Sequence, residues 1–381
     1  MPEFQNPNLQ SQGGGGPSGS GGSGGGMQSM MVMMFLAVAI LLGYQYFQKA
    51  KPTTPSAPAQ TKQQSAPASS TATQTTPAAQ PSSKETAATP GSALATPAIV
   101  AVSETETTVE NAYYRIVFSN RGALVKHWIL KDSHYKDSTQ SHQLDMVQQQ
   151  ASQHFGYPLS LFTYEPALNT ELNQALYQAS ATGMVTAPSS LTFHYTQNGV
   201  EVIKTFHFDS TYVIAAEVQV RRNGQPVRAL LSWPAGLGDM EEFQGRSAIP
   251  GLSRTPSMFA WSIGGKQDSV DTRKVSNNAT LDGDYEYAAE ADLYFTAAFL
   301  PDAPERATVV TLHNSIDLPT DPSNPNSEKK PADLIGLAVG DTSGDTRLRL
   351  YAGPKQMAIV TDIHSVGADG KQDGPTLETL I

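Results

Sequence analysis

The 381 residues include no cysteine. That absence removes disulfides, thiol catalysis, Cys-ligated zinc and lipid attachment to an amino-terminal cysteine. No Lys or Arg precedes Met30. A cleavable signal peptide is therefore not expected, because it needs a basic region ahead of its apolar run. Positive charge is scarce throughout. Of 25 basic and 35 acidic residues, four of each precede residue 108, so the remainder holds 21 against 31. A net charge of −10 argues against nucleic acid as a partner. No H-E-x-x-H or phosphate-binding glycine loop occurs, and no strong amphipathic helical pattern interrupts the apolar alternation after residue 108.

One membrane-length apolar run is present, Met30 to Phe47, with Gln45 its single polar side chain. Eighteen residues at about 1.5 Å each make a helix of roughly 27 Å, close to a bilayer's hydrocarbon thickness. Tyr44, Tyr46 and Phe47, followed by Lys49 and Lys51, suit an interfacial belt and a charged stop. The expected organisation is a disordered glycine-rich tail over 1–26, a retained transmembrane helix over 27–48, a Pro/Ala/Ser/Thr-rich linker over 49–107 and a β domain over 108–365. A tail over 366–381 follows.

In the β domain, Tyr114, Ile116 and Phe118 alternate with Arg115 and Ser119, Asn120-Arg121-Gly122 marks a turn, and Leu124 to Leu130 reads as the returning strand. Residues 132–157 read as a long loop or irregular strands, and Asn169 to Tyr177 as a short helix capped by Asn169. Between Leu191 and Trp233, four consecutive antiparallel strands are expected, turned by Asn198-Gly199, Asp209-Ser210 and Asn223-Gly224. Further strands are expected at Met258 to Ile263, Leu293 to Phe299, Ala307 to Leu312, Ile335 to Val339 and Arg347 to Tyr351. An antiparallel β-sandwich is the fold class.

No catalytic, cofactor-binding or metal residue is assigned. His127, His134, His142, His154, His194, His207, His313 and His364 show no ligand spacing. Asp282, Asp284, Glu286, Glu290 and Asp292 lack the spacing of a calcium loop and read as a solvated loop. Asp239, Glu241 and Glu242 read as turn residues beside Gly236 and Gly238 rather than as a paired-carboxylate site.

The order of parts, with four local matches, resembles the front half of the YidC-type bacterial membrane protein insertases. The matches are Tyr114 to Ala123, Lys204-Thr205-Phe206 with Tyr212, Leu293 to Pro301, and Tyr351-Ala352-Gly353-Pro354-Lys355. The resemblance implies a mutarotase-like β-supersandwich in the periplasm, anchored in the inner membrane by one helix. It also implies contacts with membrane lipid, Sec translocon components and nascent membrane proteins, and no enzymatic activity. The family continues into a membrane core, so the chain is expected to be a fragment or a truncated gene product that does not insert proteins by itself. Lys49, Lys51 and Lys62 lie after the helix, which by the positive-inside rule alone would place the β domain in the cytoplasm. The topology implied by the resemblance is preferred. A membrane-tethered carbohydrate-binding or sugar-epimerising domain is the alternative, with Trp128, Trp233 and Trp261 as available platforms, although alternation puts Trp233 toward the core.

Overall fold

The computed structural model describes residues 97–137, 140–238, 257–319, 324, 326–367 and 369–381. The tail, the proposed membrane helix, most of the linker, and Asp239, Glu241 and Glu242 lie outside the described residues. No helix among the described residues is long and apolar enough to cross a membrane.

Period-two patterning and tight turns build the centre of the fold. Ser189–Gln197, Val200–Phe208 and Val213–Arg222 form an antiparallel meander. Asn198 and Gly199 turn the first corner at φ 53° and 77°, a conformation Asn and Gly tolerate and most L residues resist. The meander belongs to a ten-stranded sheet. From one edge its order is Lys266–Asp271, Met258–Ile263, Tyr285–Ala291, Phe295–Pro301, Asp345–Pro354, then the meander in reverse, and Gln178–Ala179; Gln225–Pro226 adds to Val213–Arg222.

Two smaller sheets cover one face of it. One runs Ala279–Asp282, Ala307–Pro319, Lys329–Asp341, Ala229–Trp233 and Ser160–Thr163, and the other Leu124–Leu130, Tyr114–Ser119, Glu106–Glu110 and Gly183–Thr186. In the five-stranded sheet, Lys329–Asp341 packs on Tyr285–Ala291 and Phe295–Pro301 of the large sheet. From the four-stranded sheet, the Phe118 ring meets Phe193, Phe206 and Phe208 at 5.9, 5.3 and 5.8 Å between centroids. Burying one such ring contributes about 1.5–3 kcal/mol. Trp128 and Trp233, 5.7 Å apart, join the two smaller sheets to each other. The architecture is the expected antiparallel β-sandwich.

Several local expectations are corrected. The fourth strand of the meander does not stay in the sheet: its pairing ends with Val227 N–H donating to the Val220 carbonyl, because Asp345–Tyr351 occupies the rest of that edge, and Ala229–Trp233 crosses to the five-stranded sheet. That segment is buried at all five positions, as a strand covered on both faces requires. The acidic run is not a solvated loop. Tyr285–Ala291 is an internal strand between Met258–Ile263 and Phe295–Pro301, and Glu290 is fully buried. The short helix is Pro166–Gln174, begun by Pro166, while Asn169 bonds instead to the backbone N–H and C=O of Thr163. Within 132–157 a helix forms over Gln149–Phe155, capped by the Gln148 side chain.

The folded unit also extends past both expected boundaries. Ile99 exchanges two backbone hydrogen bonds with Thr196, at 2.8 and 2.9 Å, so ordered chain begins before residue 108. At the other end Val366, Leu377 and Leu380 are buried, and His364 bridges to Thr376. Residues 366–381 therefore belong to the packed domain, because their sparse apolar side chains fill the core without forming a strand pattern.

Candidate interaction surface

Side chains of the large sheet alternate between two faces. Phe206, Ala216 and Leu348 stand in register toward the core, whereas His207, Ala215 and Arg349 stand in register on the opposite face. That outer face is partly overhung by the short helix Met357–Val360 and the residues after it. The result is a cleft of about 540 Å³ walled by Tyr113, Tyr212, Val213, Ile359 and Ile363, with Arg349 at its base. Arg349 holds the overhang in place: its guanidinium donates to the His364 carbonyl at 2.7 Å and to Gln372 Oε1 at 3.1 Å. Its Nε is buried without a partner, and burial lowers its pKa from the usual arginine value.

The cleft continues along the rim. A second compartment of about 360 Å³ shares Tyr113, Tyr212 and Ile359 with the first. A third, of about 330 Å³, shares Tyr135 and Gln356 with the second. Tyr113 and Tyr212 lie 4.6 Å apart between ring centroids, and Tyr135 packs edge-on against Phe295 at 5.5 Å. Gln356 donates to the Tyr135 hydroxyl, which closes the wall between the second and third compartments.

Three of the four segments that carry the family resemblance converge here. Tyr212 contacts Tyr351 at 6.0 Å. Lys355 ties its backbone N–H to the Tyr294 carbonyl at 2.7 Å and its ammonium to the Asp292 carbonyl at 2.8 Å. Gly353 faces Tyr212 so closely that a Cβ would stand 3.0 Å from the ring. The sequence marked these residues as motifs, but their meeting depends on strand register across three chain segments.

Lys204, from the same segment as Tyr212, has a different setting. It is completely buried, and its ammonium donates to the carbonyls of Gly122, Ala123 and Leu159 at 2.8, 3.0 and 2.8 Å. Gly122 and Ala123 turn the hairpin of the four-stranded sheet, and Leu159 directly precedes Ser160–Thr163 of the five-stranded sheet. One side chain of the large sheet thus joins all three sheets. Burial lowers the Lys204 pKa to about 7. The charged form has three N–H donors for three acceptors, whereas the neutral amine would have two.

The residues weighed from sequence are mostly engaged structurally. Among the described residues, no group of three or more His, Asp or Glu side chains is placed to hold a metal ion. His127 pairs with Asp145 at 2.7 Å, and this bond raises its pKa. His194 pairs with Glu201 and His313 with Asp333. Asp282 binds Arg228 and Thr308, and Glu286 accepts from Ser262 Oγ and the Gly265 N–H. Trp128 and Trp233 are fully buried, and Trp261 stacks on Phe259, so the first two are inaccessible as sugar platforms. The compartments along the rim were missed because tyrosines in three separate loops leave no periodic signal.

The solved structures to which the fold is similar include a galactose mutarotase-like protein from Lactobacillus casei ATCC 334. It is 10% identical with a TM-score of 0.39, and the match covers 65% of this chain and 99% of that one. A GalM/aldose epimerase homologue from C. elegans is 8% identical with a TM-score of 0.33, covering 66% and 99%. An active YidC insertase with its first transmembrane domain resolved is 11% identical with a TM-score of 0.21, covering 70% of this chain and 43% of that one. No curated protein matches by sequence. The profile described as the YidC periplasmic domain matches residues 106–379, from the first strand of the four-stranded sheet to the final buried turn, and the chain belongs to that family.

Proposed function

We propose that this β domain is a non-enzymatic module of a membrane protein insertase, held at the periplasmic face of a bacterial inner membrane. There it assists insertion through contacts with translocon components or emerging membrane proteins. The observation that carries this reading is the family match across nearly the whole folded unit. The apolar run at Met30 to Phe47 supplies a suitable anchor. The rim compartments supply accessible aromatic surface without requiring chemistry.

Site-specific photo-crosslinking in intact cells tests it. A crosslinker at Tyr113 of the full chain should capture translocon subunits or newly made inner-membrane proteins. Labelling of cytoplasmic proteins alone, or the same adducts from a probe on the far edge strand at Ser269, would contradict it.

A further inference from the structure

We propose that a pocket where the two smaller sheets meet binds an acidic saccharide, a sugar carrying a carboxylate, at a site separate from the rim. In the five-stranded sheet Leu161, Leu231 and Trp233 pack in the core. The alternating Ser160, Phe162 and Ser232 therefore stand on the opposite face, turned away from the large sheet. Over that face the helices Gln149–Phe155 and Pro166–Gln174 and the hairpin residues Arg121, Leu124 and Lys126 wall a pocket of about 710 Å³. Small-molecule sites run from roughly 300 to 1,000 Å³.

The hydrogen-bond supply of this pocket is one-sided. In a chain of net charge −10, no Asp or Glu lines it among the described residues. The Lys126 ammonium lies 4.1 Å from the centre of the Tyr157 ring and has no carboxylate or hydrogen-bond acceptor among those residues. Two carboxylates act on this wall, Glu104 on Lys126 and Asp145 on Tyr157, and each already holds a cation: Arg121 at 2.8 Å and His127 at 2.7 Å. Arg121 is thereby answered and Lys126 is not. His154 lines the same pocket without an ion pair among the described residues. Gln153 and Asn278 keep side-chain amides free among those residues, and Asn277, whose oxygen accepts from the His313 N–H, keeps its Nδ2. On the floor the Ser160 and Ser232 hydroxyls satisfy each other at 2.7 Å. An occupant must bring acceptors and negative charge.

Two features select a saccharide among anions. Ser160–Thr163 is the edge strand of its sheet, where an acidic peptide would add as a further strand. That edge is already closed: Asn173 bonds the N–H and C=O of Leu161 at 2.7 and 2.8 Å, and Asn169 bonds those of Thr163. The second feature is aromatic. Phe155, Tyr157 and Phe162 are half-buried in the walls, so they offer ring faces to a ligand inside rather than wedges for a bilayer. A sugar ring packs its C–H face on such rings while its hydroxyls bond the amides and its carboxylate meets Lys126.

Isothermal titration calorimetry with the full chain in neutral detergent tests this. Trigalacturonate should bind, and its uncharged methyl ester should bind about ten-fold more weakly. Added salt should narrow that gap. Lys126→Gln should weaken the acid about ten-fold and leave the ester unchanged, whereas Lys126→Arg should keep wild-type affinity. Lys126 is only half-buried, so both variants should melt as the wild type does.

Equal affinity for acid and ester, no binding up to about 1 mM, or full affinity in Lys126→Gln would each overturn the proposal. Displacement of trigalacturonate by an equal concentration of triglutamate would overturn it in favour of a peptide, and by glycerol phosphate in favour of a lipid headgroup. Binding lost in Ile359→Arg and kept in Lys126→Gln would move the sugar to the rim and overturn it as well.

Discussion

Lys204 and Glu290 are both fully buried, and both point from the large sheet toward the core, yet their surroundings differ. Every N–H of Lys204 meets a carbonyl. Neither carboxylate oxygen of Glu290 has a partner, and nearby Asp292 leaves its Oδ2 unpartnered as well. Burial raises the Glu290 pKa well above the ordinary carboxylate value, and the neighbouring Asp292 charge raises it further. The lesson is that burial alone says little about what a charge does for a fold. A buried ion with its hydrogen bonds filled is a joint; one without them is a cost.

The largest expected effect breaks the joint. Lys204→Met leaves three buried carbonyls unanswered and should lower stability by about 3–5 kcal/mol, read as a lower urea midpoint. Hydrogen exchange should quicken first at the 120–125 turn and around residue 159, where the ammonium now bonds.

A smaller effect of opposite sign is expected at the other site. Glu290→Met should raise stability at pH 7 by about 1–3 kcal/mol. The sign follows from linkage. Because its folded pKa is raised, the native state holds a proton that the unfolded chain releases above its ordinary value near 4.5. Wild-type stability therefore falls as pH rises from there toward the folded pKa, and the advantage of the Met variant should shrink at pH 4. Unfolding curves at both pH values check this.

The smallest effect concerns a charge that is only half-buried. His127 has its pKa raised chiefly by the Asp145 hydrogen bond. Its contribution is present below the unfolded histidine pKa and is lost as pH rises through the folded one. His127→Gln should flatten the stability profile above about pH 6.5 by less than about 1 kcal/mol, since nearly half of the side chain is exposed.

The contrast between these sites also marks how far the sequence could be read. Alternation and Asn-Gly turns located the meander, because those residues state their backbone geometry locally. Tyr285–Ala291 escaped because alanines and two glutamates give no apolar period, although the strand is covered by neighbours far away in sequence. Lys204 was visible as part of a motif and not as a buried ion. Its three acceptors lie 45 to 82 residues away, in loops whose positions no local pattern records. The same holds for the rim, where Tyr113, Tyr135 and Tyr212 converge from separate loops.

The central claim is that buried charge governs the stability of this domain while the tyrosine-lined rim carries its interactions. Crosslinking yield from Tyr113 in intact cells, compared between Glu290→Met and Ile359→Arg, tests it most directly. The account predicts wild-type yield for the more stable Glu290→Met and loss of adducts for Ile359→Arg at unchanged stability. Retained adducts in Ile359→Arg together with loss in Glu290→Met would contradict it.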